Sequence, residues 1–262
     1  MENEVVWRIV SFSAILSAIG LWEILAPRRP LTTRKSQRWF ANLSMIAIAT
    51  LVVRLTFPLL PVGLAIIAQE QGWGIFNFVS LSPWLEIILA VVLLDFVIYL
   101  QHVMFHFLPV LWRLHRMHHS DLDLDASSGN RFHPVEIVIS IGIKFAAILI
   151  LGAAPVAVLL FEIVLNATAI FNHGNIRLPL RIDRWLRTVL VTPDMHRVHH
   201  SIIPRETNSN FGFSLSCWDY LCGTYRAQPG AGHLEMIIGL KEYRDPARLT
   251  LPRLLVQPFE RN

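Results

Sequence analysis

Charge is scarce in this chain. Lys, Arg, Asp and Glu make up 16% of its 262 residues, against about 25% in an ordinary soluble domain. An integral membrane protein is the class that fits such a composition. Cysteine is nearly missing. Cys217 and Cys222 are the only two, and they form no CxxC pair. That excludes a disulfide framework and a thiolate zinc site, and it fits a reducing compartment for that end of the chain. No GxGxxG fingerprint, P-loop or CxxCH sequence occurs, so no nucleotide, flavin or haem signature is present. The net charge of +4 is small, and the basic residues sit largely in loops. The pI of about 9.4 therefore reflects membrane orientation, and no nucleic-acid partner is read from it. The first residues, Met-Glu-Asn-Glu, are acidic where a cleaved secretory signal would be basic. The first apolar run is accordingly read as a retained helix.

Apolar sequence fills the chain instead: 53% of residues are hydrophobic. Residues 5–26 form a first candidate span, ending at Pro27. Arg28, Arg29, Arg34, Lys35 and Arg38 follow, which places that loop in the cytoplasm and the N-terminus outside. Residues 39–68 form a second stretch, interrupted by Pro58 and Pro61. Arg54 within it either snorkels, pairs with a neighbour or serves as a functional charge. Residues 70–82, with Gly72, Trp73 and Gly74, read as a connector at the outer interface. A third span runs over 83–106. Residues 134–172 are apolar again, and as one helix they would reach about 58 Å, twice a bilayer core of about 30 Å. The break from Gly152 to Pro155 turns them into a hairpin, 134–151 and 154–172. The expectation is an all-α integral membrane bundle of four to five embedded segments with a histidine-rich cap. It divides into membrane helices and connector (1–82), a catalytic unit (83–226) and a cytoplasmic tail (227–262).

The histidines are unevenly spread. Eight of the eleven lie in three short boxes: His102 and His106; His115, His118 and His119; His196, His199 and His200. On a helix, i, i+3 and i+4 lie close together, so each triplet is expected to aim its rings at one spot. Eight imidazoles are enough for two metal ions, and neutral imidazole binds iron, zinc, copper and nickel well. Counting crossings from the loop charges, the first, third and fifth spans end in the cytoplasm. All three boxes and His173 then fall at that one surface, although no histidine entered the count. The boxes contain no carboxylate. Asp95, Glu136, Glu162 and Asp194 are near enough in sequence to offset metal charge from outside the ligand set. Asp95 either orients an imidazole N–H or makes a polar contact between helices. His173 emerges at the same surface and is a candidate ligand. His133 either joins the ligands or caps and orients the site. Asn210, in a turn, is a candidate donor behind the ligands, and His233 is assigned no role.

With these residues in view, the chain resembles the fatty acid hydroxylase superfamily, also called the sterol desaturase family. The likeness runs over roughly residues 90–226 and rests on HVMFH, LWRLHRMHHS, RFHPVE, FNHGN, TPDMHRVHHS, NSNFG and WDYLCGTY, in that order. Cys222 stands where the family often has Phe. The resemblance implies a membrane-bound, non-haem di-iron oxygenase whose iron ligands are the eight boxed histidines, joined by His173. Zinc can replace iron on purification, because the same nitrogens hold it at least as tightly as ferrous iron. O2 is the implied co-substrate. Two electrons come from an external reductase with a ferredoxin or cytochrome-b-type carrier, and a lipid from the bilayer is the substrate. Hydroxylation is the leading reaction. Desaturation and ether-lipid oxygenation are alternatives on the same centre, and a zinc-dependent membrane hydrolase is the non-redox alternative. A metal transporter fits poorly, because the histidines gather on one side and line no path. Bis-histidine haem binding needs only two facing imidazoles.

Overall fold

A computed structural model describes residues 3–260. Met1 and Glu2 of the acidic start, and the last two residues of the 227–262 segment, lie outside the described residues. Among the described residues there is no β-strand, only helices and isolated bridges. Nine helices set the frame: α1 (Glu4–Leu25), α2 (Lys35–Thr56), α3 (Pro61–Glu70), α4 (Pro83–Phe107), α5 (Pro109–His119), α6 (Pro134–Leu151), α7 (Pro155–His173), α8 (Leu180–Leu186) and α9 (Pro193–His199). Five helical segments are long and apolar enough to cross a membrane, one of them spanning α2 and α3. The chain is thus a multi-pass membrane protein.

Prolines punctuate this architecture. α3, α4, α5, α6, α7 and α9 each carry one in their first turn, where its missing N–H costs nothing. Pro109 matters most. It holds Leu108 extended at φ −91° and ψ 116°, as a residue before proline must be. The chain therefore bends between α4 and α5 and returns the first triplet toward His102 and His106. The second apolar stretch is not one helix. α2 stops at Thr56, and α3 packs separately against α6 and α7.

The α6–α7 hairpin turns at Gly152, which sits in the left-handed region at φ 67°. Gly74 of the connector packs on it, and a Cβ at Gly74 would lie 2.1 Å from the Gly152 nitrogen. Only glycine allows that approach. Behind it lies the membrane core, where Val62 and Ala65 of α3, Leu94 of α4, Ile148 of α6 and Val158 and Phe161 of α7 are buried together.

At the other end, α1, α4 and α7 finish and α2 and α6 begin. Backbone bonds from Arg28 to Asn175 and from Arg177 to Ala26, each 2.9 Å, tie the ends of α1 and α7. The segment after α5 is an acidic knot. Arg38 donates Nε to Asp121 at 2.8 Å and Nη1 to Asp125 at 2.6 Å, and a further N–H to Ser128 Oγ at 2.9 Å. Asp123 accepts from the backbone N–H and hydroxyl of both Thr32 and Thr33. Residues 227–260 fold over the same end. Tyr243, Leu249 and Leu254 are buried there with Ala41, Met45, Met117 and Leu122.

Candidate metal centre

Nine histidines converge where α4, α5, α7 and α9 meet. They form two groups able to bind metal: His102, His106, His115, His119 and His199 in one, and His118, His173, His196 and His200 in the other. Within each group the ligand nitrogens lie within 4.8 Å of one another. The triplets do not act as units. His115 and His119, at i and i+4, enter the five-membered group, and His118 enters the other; His196 and His200 join the four-membered group, and His199 crosses back. The reason is angular. At about 100° per residue, i and i+4 stand about 40° apart, whereas i+3 and i+4 stand about 100° apart. One ring of each triplet therefore faces the neighbouring group.

The imidazoles are oriented from behind. Nδ1–H donates to a carbonyl from His102 (Phe211 O, 2.8 Å), His118 (Arg131 O, 3.2 Å), His173 (Ala169 O, 2.7 Å) and His199 (Ser209 O, 2.8 Å). His115 Nδ1 donates to Glu136 Oε1 at 2.6 Å, and His106 Nδ1 to Asn208 Oδ1 at 3.2 Å. A neutral ring that donates from Nδ1 carries a lone pair on Nε2. These lone pairs face one another. Nε2 atoms are 3.2 Å apart in His102–His115, 3.0 Å in His102–His199, 3.1 Å in His118–His173 and 3.1 Å in His173–His196. Metal–nitrogen bonds of about 2.0–2.1 Å put neighbouring ligand nitrogens roughly 3 Å apart, so the spacing fits a cation at each group. Nε2 of His106 and of His119 is buried without a partner, which a metal would supply.

Electrostatics agree. Burial, then neighbouring imidazoles, push His118, His119, His196 and His200 well below the usual histidine range. His199 is lowered in the same way, mainly by burial. They stay neutral at physiological pH, as ligands must.

The other candidates occupy different places. Glu136 sits directly behind His115. Glu136→Ala is expected to weaken metal retention about 10- to 100-fold, read by chelator competition, with Glu136→Gln between because its amide oxygen still accepts. Asp95 touches no histidine. It accepts from Trp218 Nε1 at 2.9 Å and from the backbone N–H groups of Ser214 and Leu215, pinning the 214–218 segment to α4. Asp194 is held by Arg28 at 2.9 Å and by Arg197. Glu162 pairs with Lys144 and Arg8 inside the bundle. His133 caps α6: its Nδ1 accepts from Val135 N–H, and its Nε2 donates to Leu255 O. His233 lies 3.7 Å from Asp194 and in neither group.

Asn210 also touches no histidine. It adopts φ 53°, its amide donates to Met195 O and Arg226 O, and its Oδ1 accepts from Arg226 N–H. It thereby shapes the turn whose Ser209 and Phe211 carbonyls hold His199 and His102. Asp219 fixes the same turn by accepting from Phe211 and Gly212 N–H at 2.7 and 2.8 Å.

One cavity borders the centre and a second ends at residues that pack behind it. The first, of about 420 Å³, opens beside His106 among Trp112, Asn208, Lys241, Glu242 and Tyr243. The larger, of about 570 Å³, lies inside the bundle between α1, α2, α4, α6 and α7. It begins near Arg8 and Arg54 and ends at Phe132 and Glu136. Phe132 stacks on His118 with ring centroids 4.5 Å apart.

A multi-pass helical bundle with two buried histidine groups at one end is a membrane histidine-box protein. Comparison with known sequences narrows that class: the chain belongs to the fatty acid hydroxylase family, which matches residues 87–224. It is similar to an ornithine lipid hydroxylase of Rhizobium tropici, 25% identical over 237 residues that cover 87% of this chain and 70% of that protein. It is also similar to the alkylglycerol monooxygenase of Homo sapiens, 28% identical over 163 residues, covering 60% of this chain and 34% of the relative. The Xenopus tropicalis alkylglycerol monooxygenase is 29% identical over 171 residues, covering 62% and 36%. The chain thus spans about a third of those monooxygenases. No solved structure matches it.

Proposed function

We propose that the protein is a non-haem di-iron oxygenase that hydroxylates a C–H bond of a membrane lipid. The observation that carries this reading is the pair of adjoining groups of neutral imidazoles, with their lone pairs turned inward. The nine histidines are the proposed ligands, five for one iron and four for the other. Iron at these positions would supply O2 activation, and the overall change is RH + O2 + 2e⁻ + 2H⁺ → ROH + H2O. The chain's own residues do the positioning. Glu136 and the Ser209, Phe211, Arg131 and Ala169 carbonyls fix the rings. The cavity within the bundle admits the lipid chain from the bilayer, and Phe132 and Phe213 line its end beside the histidines. Residues 83–226 form the catalytic unit on the membrane scaffold 1–82, with 227–262 as a cover. The loop charges support a centre on the cytoplasmic face, where a reductase with a ferredoxin or cytochrome-b-type carrier would deliver the electrons. Similarity to the alkylglycerol monooxygenases supports a second reading, in which the attacked carbon adjoins an ether oxygen of the lipid.

Metal content per chain tests the centre, on protein purified without oxygen from iron-supplemented cells. About two irons per chain is the expected result. Two zincs would keep the geometry and call for iron reconstitution before any turnover assay. One metal or none would reject the dinuclear reading.

A further inference from the structure

Two stretches outside the five spans leave large apolar side chains uncovered. Leu180, Ile182 and Trp185 of α8, Val189 beyond it, and Leu221 of the short helix Cys217–Leu221 are 48% to 75% exposed. The two stretches form one unit. Ser216 N–H donates to Val189 O at 3.1 Å, the Tyr220 hydroxyl donates to Arg187 O at 3.2 Å, and Leu190 and Leu215 make an antiparallel bridge. This unit is fastened to a membrane helix partway along its length. α4 runs Pro83–Phe107, so Asp95 lies twelve residues from either end, about 18 Å. Asp95 accepts from Ser214, Leu215 and Trp218. Trp218 packs on Phe96 with ring centroids 4.6 Å apart, and the hydroxyls of Tyr99 and Thr224 meet at 3.0 Å. The acids of the unit are hidden: Asp183 pairs with Arg187, and Asp219 accepts from Phe211 and Gly212 N–H. Its exposed charges are Arg177, Arg181 and Arg184, none in an ion pair among the described residues.

We infer that residues 180–190 and 215–222 form a pad inserted in the bilayer leaflet at the histidine end, with Arg177, Arg181 and Arg184 taking acidic phospholipid headgroups. Lipid is the occupant for reasons of depth, backbone and charge. The root of the pad is bonded to the middle of a helix that crosses the membrane, so it continues the lipid-facing surface of α4. Irregular backbone at that depth must have its N–H groups satisfied by protein, because no water is there to do so. Asp95 and Asp219 meet that need for Ser214, Leu215, Phe211 and Gly212. The uncovered side chains are aliphatic, Trp or Tyr, and the two aromatic types favour the headgroup level. The exposed charge has one sign, opposite to that of acidic lipids, and arginine carries it on a stem long enough to reach headgroups from an apolar surface. The pad seats the histidine end at a fixed depth, whichever reaction the centre performs.

The test uses the full chain reconstituted in phosphatidylcholine vesicles. Cys222 is exposed and follows Leu221, so in a Cys217→Ser background it takes a single nitroxide. Power-saturation EPR compares relaxation by O2, which concentrates in hydrocarbon, with relaxation by a water-soluble nickel chelate. Nitroxides at Leu51→Cys on α2 and at Arg205→Cys, both exposed positions and both without the native cysteines, give the lipid and water references. The Cys222 nitroxide is expected to favour O2 over nickel, as at Leu51→Cys. A nickel response as strong as at Arg205→Cys would put the pad in water, and shielding from both reagents would mean that protein covers it. Either result overturns the proposal. For the headgroups, a fluorophore on Cys222 is quenched by phosphatidylglycerol or phosphatidylcholine carrying the same acyl-chain nitroxide, at equal mole fraction. The acidic lipid is expected to quench about fivefold more effectively. Combining Arg177→Gln, Arg181→Gln and Arg184→Gln should remove the difference, with unchanged metal content and phosphatidylcholine quenching showing that the variant is folded. Equal quenching before substitution, or a preference that survives it, would overturn the headgroup contacts.

Discussion

His118→Ala and His199→Ala are each expected to abolish lipid turnover and to remove about one metal ion per chain, from different groups. The two histidines belong to different triplets and to opposite groups. His118 leaves the four-membered group with three imidazoles, and His199 leaves the five-membered group with four. Combining the two substitutions should deplete both ions. The loss in turnover should exceed the roughly 10- to 100-fold effect of removing a group behind a ligand. His233→Ala is the control, since that ring lies in neither group, and it should change neither metal content nor turnover. Full activity in either ligand variant would reject the centre as drawn, and metal analysis by mass spectrometry reads the stoichiometry directly.

Arg38→Met is expected to destabilise the protein by about 3–5 kcal/mol, the cost of breaking a buried ion pair by removing one partner. Arg38 is 6% exposed and holds Asp121 and Asp125, both fully buried. Without the guanidinium, two carboxylates stay in a dry site, with Arg131 the nearest cation. Burial alone would raise the Asp121 carboxyl, but Arg38 and then Arg131 outweigh it and hold it below the usual range. The sign follows. A depressed carboxyl contributes stability that is complete above its unfolded value of about 3.9 and is lost as pH falls below it. Detergent-solubilised wild type should therefore lose melting temperature as pH drops through that range, and Arg38→Met should start lower and change less. Unaltered melting in the variant would show that the acidic knot is not what fastens α2 to the segment after α5.

Much of this was legible in the sequence, for identifiable reasons. The spans are legible because hydropathy and helix length are local. The hairpin at Gly152 is legible because a glycine and a proline three residues apart end one helix and start the next. The gathering of the boxes at one end follows from counting crossings. The helical period separates the middle ring of each triplet from the other two, but which group each ring joins was not legible, because that depends on how α5 and α9 dock. Asp95 and Glu136 look alike in sequence, a carboxylate near a histidine box, yet one holds Trp218 and the other His115. The acceptors behind His102 and His199 are backbone carbonyls, which have no residue-type signature. The run Asp121, Asp123, Asp125 did carry a signal, three acids at alternate positions. Its partner Arg38 entered the sequence reading only as a loop charge.

The crossing of ligands between groups has a consequence for how the protein is made. The ribosome delivers His102 to His119 some eighty residues before His199 and His200. Neither group closes until α9 emerges, because the five-membered group needs His199 and the four-membered group needs His196 and His200. All five membrane segments precede α9, so their insertion calls for no ion. On the proposed ligand set, neither site would be complete until α9 has been made, after the last membrane segment, and a chain truncated before α9 would lack His196, His199 and His200.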